Sequence, residues 1–304
     1  MQRTALLACA AAALAAIPAA AEPRAPGQTP KLDTAEAGMW DVFAKAEAEA
    51  KRSADLNADP AVNAYVREVT CRVAQAYCPE LRIYVMDRPI PNATMAPNGY
   101  GEVWSGLLLR AEDEAELAFV LGHEVTHYVE NHSIERHTAH KNRQNLVMAL
   151  SIGVAVGGAV AAANTGPYGD PGAVLDATGS LIDAIYLSSI AAYFRFSREN
   201  EVEADLQGIR RASAAGYRGD AAPGSWKDLM AETAASDFEK VRRRDARLGV
   251  FDSHPLNAER VQRLEQEAKA LPSAGQSGRE RHRAAIRPHL ARWLKDDLRR
   301  RDFG

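Results

Sequence analysis

Along residues 33–51, DTAEAGMWDVFAKAEAEAK, the apolar side chains Met39, Val42, Phe43 and Ala46 recur at intervals of three and four, the period of one helical face. Asp59-Pro60 opens a second helix, with a capping side chain ahead of a proline, and Tyr65, Val66, Val69 and Val73 form its apolar stripe. LRIYVMD (81–87) alternates as a strand does. MAPNGYGEVWSG (95–106) then carries an Asn-Gly turn signal followed by another short strand, so a small sheet is expected. Asp113 and Glu116 form a capping-box pattern ahead of a long helical run, AELAFVLGHEVTHYVENH. The predicted fold class is α+β, mostly helical, with a small mixed sheet.

Farther along, LVMALSIGVAVGGAVAAA (146–163), a turn-rich NTGPYGDPG and LIDAIYLSSIAAYF (181–194) read as an apolar helical hairpin, about 146–194. Its first arm barely reaches the length of a membrane span. Its glycines and alanines suit a tightly packed helix, so a buried or site-covering hairpin is favoured over a span or a membrane-surface contact. After Pro223 the chain is charged and helical as far as Leu271. A PSAGQSG linker (272–278) follows, leading to a basic amphipathic tail with Ile286, Leu290, Trp293, Leu294 and Leu298 near helical spacing. The expected organisation is therefore a leader at 1–21, one domain at 22–271 and a C-terminal segment at 272–304. The tail is expected to dock on the core, with contact to a membrane surface or a partner as the alternative.

Composition narrows the function classes. With 304 residues, 46% of them hydrophobic, the chain can bury a full core. Its near balance of 37 basic and 40 acidic residues gives no reason to expect nucleic acid. The opening MQRTALLACAAAALAAIPAAAEP pairs an early arginine with an apolar run from Ala5 to Ile17 and small residues at Ala19 to Ala21. This is the pattern of a secretory signal peptide cut after Ala21, and the run is too short to favour a membrane anchor. Its removal would leave Cys71 and Cys78 in an oxidising compartment, where a disulfide is the expectation and two free thiols the alternative. Residues seven apart on one helix lie roughly 10 Å apart, so the bridge requires the helix to end before Cys78, and Pro79 supplies a reason for it to end.

Within the long helical run, HEVTH puts His123 and His127 four apart on one helix face with Glu124 beside them, the arrangement of a zinc hydrolase. Catalytic zinc takes three protein ligands and keeps one position for water, so a third ligand must come from elsewhere. The spacing that would recruit a histidine six residues after His127 is absent, since Glu130 and Ser133 occupy the relevant positions. His132, His137 and His140 are therefore read as solvated helix residues. SRENEVEADLQGI (197–209) offers the alternatives. On a helix, Val202, Leu206 and Ile209 would form the buried face. Glu201, Asp205, Gly208 and Ala212 would line one flank, and Glu199, Glu203, Gln207 and Arg210 the other. The first flank is the better site. Its small residues admit a close helix, and Asp205 lies one turn from Glu201, suited to accept a hydrogen bond from a ligand imidazole.

HEVTH, then SRENEVEAD, then SHPLNAER, in that order, resemble the zinc metallopeptidase family that contains HtpX, the CAAX prenyl proteases and the periplasmic BepA-like proteases. The resemblance runs over roughly residues 33–265. It extends to PNATMAPNGYGEVWSGLL (91–108), which looks like the family's segment ahead of the active-site helix, with its strand along the substrate. It implies a zincin-like fold, one Zn2+ held by His123, His127 and Glu201, Glu124 as catalytic base, and Asp205 supporting the ligands. It further implies that His254 and Arg260 help hold substrate or the transition state, and that His254 can reach the metal in a resting form. The implied activity is that of a periplasmic metalloendopeptidase acting on protein or peptide substrates in envelope protein quality control. A non-proteolytic chaperone or binding module on the same scaffold is the alternative. The repeat array of the BepA-like proteins has no counterpart in the residues after Leu271.

Overall fold

Residues 22–139, 194, 196–242, 254, 258–272 and 274–302 are described in a computed structural model. The predicted leader and nearly all of the predicted hairpin lie outside the described residues, as does His140. Helix α1 (Ala35–Ala50) begins where the Thr34 hydroxyl accepts from the Ala37 N–H, and it buries Met39 and Phe43 at the predicted spacing. Helix α2 (Pro60–Ala74) has Asp59 as its cap, proline in its first turn, and Val62, Val66, Val69 and Val73 on its buried face. Gln75, at a φ of 53°, ends it, and the chain tightens into a 3-10 turn over Gln75–Glu80. That ending brings the Cα atoms of Cys71 and Cys78 to 4.7 Å, and the two form a disulfide.

Three strands follow: β1 (Arg82–Met86), β2 (Ala93–Met95) and β3 (Tyr100–Trp104). Their order is β1-β3-β2, with β3 parallel to β1 and antiparallel to β2, so the sheet is mixed. The Asn-Gly turn joins β2 to β3. Gly99 has a φ of +80°, and a Cβ there would lie 2.5 Å from the Glu80 carbonyl oxygen, so the position requires glycine.

A short helix, α3 (Ser105–Arg110), leads to α4 (Glu114–Val129), which carries HEVTH and is buried along its whole length. The Asp113 carboxylate caps α4 by accepting from the Ala115 and Glu116 N–H groups. The return bond of the predicted capping box goes one residue earlier than expected, from the Glu112 N–H to the Glu116 carboxylate. Around α4 pack α2, β2, α6 (Arg198–Ala214) and α7 (Ala221–Ala235), and α9 (Ala258–Ala270) closes on α6 and α7. Smaller helices are α5 (His132–Ala139), α8 (Glu239–Arg242), α10 (Arg279–Ile286) and α11 (Leu290–Leu298).

The basic tail packs on this assembly, with Ile286 and Trp293 buried in the same apolar core as α2 and α4. Leu294 and Leu298, on the same predicted stripe, remain exposed, because the helix is interrupted by a 3-10 turn at Arg287–His289 around Pro288 and its second half turns Trp293 and Leu290, rather than these two leucines, to the apolar core. No helix among the described residues is long and apolar enough to cross a membrane.

Candidate metal centre

Helices α4 and α6 meet at Gly122 and Gly208. A Cβ on Gly122 would fall 2.8 Å from the Gly208 carbonyl oxygen, and one on Gly208 would fall 2.8 Å from the His123 nitrogen. Two glycines thus permit a backbone contact that puts the SRENEVEAD carboxylates against the HEVTH imidazoles. Helix α6 is rolled relative to the face its apolar residues predict. Glu201, Asp205, Gly208 and Ala212 are buried, whereas Val202 and Leu206 are only half-buried. The reason is electrostatic: the buried carboxylates find cationic and N–H partners on α4 and α9, which offsets the cost of removing them from water.

His123, His127, Glu201 and His254 offer ligand atoms that all lie within 4.8 Å of one another, and all four side chains are buried. His123 Nε2 is 3.0 Å from His127 Nε2 and 3.1 Å from His254 Nδ1. Glu201 Oε2 lies 3.6 Å from His123 Nε2, and its Oε1 is 3.7 Å from His127 Nε2 and 2.9 Å from His254 Nδ1. The donor set fits a divalent metal, and the protonation pattern supports this. The Asp205 carboxylate accepts from His123 Nδ1 at 3.1 Å, which leaves the Nε2 lone pair of His123 facing another ring nitrogen in a buried site. A cation among these atoms would relieve that repulsion, and two imidazoles with a carboxylate are suitable ligands for it.

Arg260 is buried, and it ties the carboxylates together. Its guanidinium donates to Asp205 at 2.6 and 2.8 Å, pairs with Glu201 at 2.8 Å and sits over the Trp226 ring. The Trp226 indole N–H also donates to Asp205. Burial by itself would raise Asp205, yet the Arg260 and His123 hydrogen bonds hold it at about 2. Burial lowers His123, and it lowers His127 well below the usual imidazole range, with the neighbouring rings adding to the effect. Both residues are thus kept in the neutral form that binds metal. Glu124, next to His123 on α4, is buried as well. Burial pushes it up to about 7, with Glu201 adding to the rise and His254 opposing it. His254 bridges the two carboxylates, with its Nε2 3.4 Å from Glu124 Oε1 and its Nδ1 on Glu201. Burial disfavours its charge, but these carboxylates outweigh that and raise it.

One expectation is overturned. His132 is not solvated: it is buried, with Nδ1 2.8 Å from His127 Nδ1 and Nε2 3.4 Å from Glu203, which the helix geometry had turned away from the site. The reason is local. Helix α4 ends at Val129, and Asn131, at a φ of +55°, takes the left-handed conformation that reverses the chain, so His132 folds back onto His127. An asparagine four residues after the second histidine of HEVTH was the available signal. Phe196, which stacks on His127 with ring centroids 3.7 Å apart, and Trp226 carried no such signal in the sequence.

With this geometry in place, the family follows. Residues 42–268 match peptidase family M48, and the chain belongs to that family. It is 28% identical over 218 residues to a beta-barrel assembly-enhancing protease of Vibrio cholerae, covering 70% of this chain and 40% of that protein. It is also 28% identical over 184 residues to the mitochondrial metalloendopeptidase OMA1 of Schizosaccharomyces pombe, covering 60% of this chain and 45% of the relative. To the corresponding OMA1 of Arabidopsis thaliana it is 31% identical over 147 residues, which make up 48% of this chain and 25% of the relative. The chain thus spans less than half the length of these relatives.

Proposed function

We propose that the protein is a zinc-dependent metalloendopeptidase, with His123, His127 and Glu201 as ligands and Glu124 as general base. The observation that carries this reading is the convergence of two imidazoles and a carboxylate from separate helices, with Glu124 adjacent on α4. Zinc, when bound, supplies Lewis acidity that polarises a carbonyl and makes water acidic near neutral pH. Glu124 takes the proton from the attacking water and delivers it to the leaving amine. Asp205 fixes the tautomer of His123, and Arg260 holds Asp205 and Glu201 in place. These contacts favour a positioning role for Arg260 over direct contact with substrate.

His254, lodged between Glu124 and Glu201, supports a resting form in which its ring occupies the space a substrate carbonyl would need. Displaced from Glu201, it would be placed to donate to the charge that develops on that oxygen. The leader pattern and the disulfide support secretion to the periplasm, and the likeness to a beta-barrel assembly-enhancing protease supports a role among envelope proteins, with quality control as the favoured reading.

The test pairs two variants with the parent protein. Glu124→Gln is expected to keep zinc and to lower cleavage of an unfolded protein by roughly 10²–10⁴-fold. Glu201→Ala is expected to lose the metal. Equal cleavage by Glu124→Gln and the parent would sink the assignment. A zinc-loaded parent that cuts nothing yet suppresses aggregation would favour the chaperone reading.

A further inference from the structure

The two ligand histidines are held in different ways. His123 has a carboxylate, Asp205, on its Nδ1, the usual arrangement for a metal-binding imidazole. His127 has none. Its Nδ1 meets the Nδ1 of His132 at 2.8 Å, and the far nitrogen of His132 faces Glu203. Only one proton can sit between two ring nitrogens. If His127 binds metal through Nε2, its Nδ1 carries the hydrogen, so His132 Nδ1 must be the bare acceptor. The hydrogen of His132 is then on Nε2, the atom that lies 3.4 Å from Glu203 Oε2. One tautomer assignment therefore satisfies the whole row, from a half-exposed carboxylate through two rings to the metal position.

The surroundings support the same assignment. Phe196 covers one face of His127 by stacking at 13°, so an in-plane contact is what remains to fix the ring's rotation. His132 supplies that contact from a position set by backbone geometry at Asn131. We infer that His132 is a positioning residue of the metal centre: it takes the hydrogen bond from His127 Nδ1 and thereby fixes the tautomer and rotation of that ligand, with Glu203 orienting His132 in turn. This rests on the proposed role of His123, His127 and Glu201 as ligands.

The experiment measures zinc affinity by chelator competition for the parent, His132→Phe and His132→Asn. Phenylalanine keeps the packing and removes the acceptor, whereas the asparagine oxygen restores an acceptor near the place of Nδ1. Phenylalanine is expected to weaken zinc binding by roughly 10–100-fold, and asparagine to recover most of that loss. Nitrogen-15 histidine NMR of the zinc-loaded parent, which needs no variant to fold, is expected to show His127 protonated at Nδ1 and His132 at Nε2. Parent-like affinity in His132→Phe, equal losses in both variants, or a His132 protonated at Nδ1 beside a His127 still protonated at Nδ1 would overturn the inference while leaving the ligand assignment intact, whereas a His127 with no hydrogen on Nδ1 would count against both. A parent that takes up no zinc would remove both.

Discussion

Four buried or half-buried carboxyls in this chain show how environment sets the role of one functional group. Glu47 is pushed up by burial but held at about 2 by Arg82, Lys51 and Tyr84, and Asp205 is held equally low by Arg260 and His123. Glu124 and Glu116 lie on one helix and both rise to about 7, chiefly through burial. For Glu116, Asp113 and Asp228 add to the rise. A carboxyl whose folded pKa is raised favours the folded state below its unfolded value, near 4.5, and loses that contribution as pH climbs through about 7. The parent is therefore expected to lose roughly 1–3 kcal/mol at this site between pH 4.5 and pH 8. Glu116→Gln, which keeps an acceptor for the Glu112 N–H, should show a smaller loss. Urea denaturation of both proteins across that range checks the difference. Residue identities at the site were largely legible: HEVTH, Glu201 and Asp205 could be selected from spacing and helix geometry. His132 was not, because spacing along a helix says nothing about a chain that reverses just past the helix end.

At the level of elements, the decisive contact is the crossing of α4 and α6 at Gly122 and Gly208. Metal-ligand geometry tolerates only small errors, and this crossing sets the distance between imidazoles and carboxylate. Gly208→Ala would place a Cβ 2.8 Å from the His123 backbone nitrogen, where no flexible side chain can yield. It is expected to cost roughly 1–3 kcal/mol and to weaken zinc binding as well, read from denaturation and chelator competition on the same preparation. A stable variant with parent-like affinity would show that the helices can part without disturbing the ligands. The small residues on the Glu201 flank signalled a close helix in advance. The roll of α6 was not legible, because hydrophobicity alone assigns Val202 and Leu206 to the core. Pairing of Glu201 and Asp205 with Arg260 and the imidazoles reverses that order.

Across the whole molecule, distant parts of the chain converge on α4. The tail reaches back so that the Ser277 carbonyl accepts from the Ala115 N–H at the head of α4, and Arg281 pairs with Glu114. At the other end of α4, Arg24 donates to Asn131, and its carbonyl accepts from the hydroxyl of Tyr77 in the disulfide-closed turn. Replacing Cys71 and Cys78 by serine is expected to cost roughly 2 kcal/mol, the entropy of a short closed loop, and calorimetry of the oxidised parent beside the variant measures it. The sequence by itself determined the helix that carries HEVTH, strands β1 and β3 of the small sheet, the turn at Gly99 and the family, because each depends on local periodicity, caps or short motifs; the three-residue β2 was too short to be read from it. Tertiary structure alone decided that His132 faces His127, that Arg260 joins Asp205 to Glu201, and that α6 buries its acidic flank. Those outcomes depend on which charges and ring nitrogens meet across helices far apart in sequence, and on the stability a buried polar group gains only when its partner arrives.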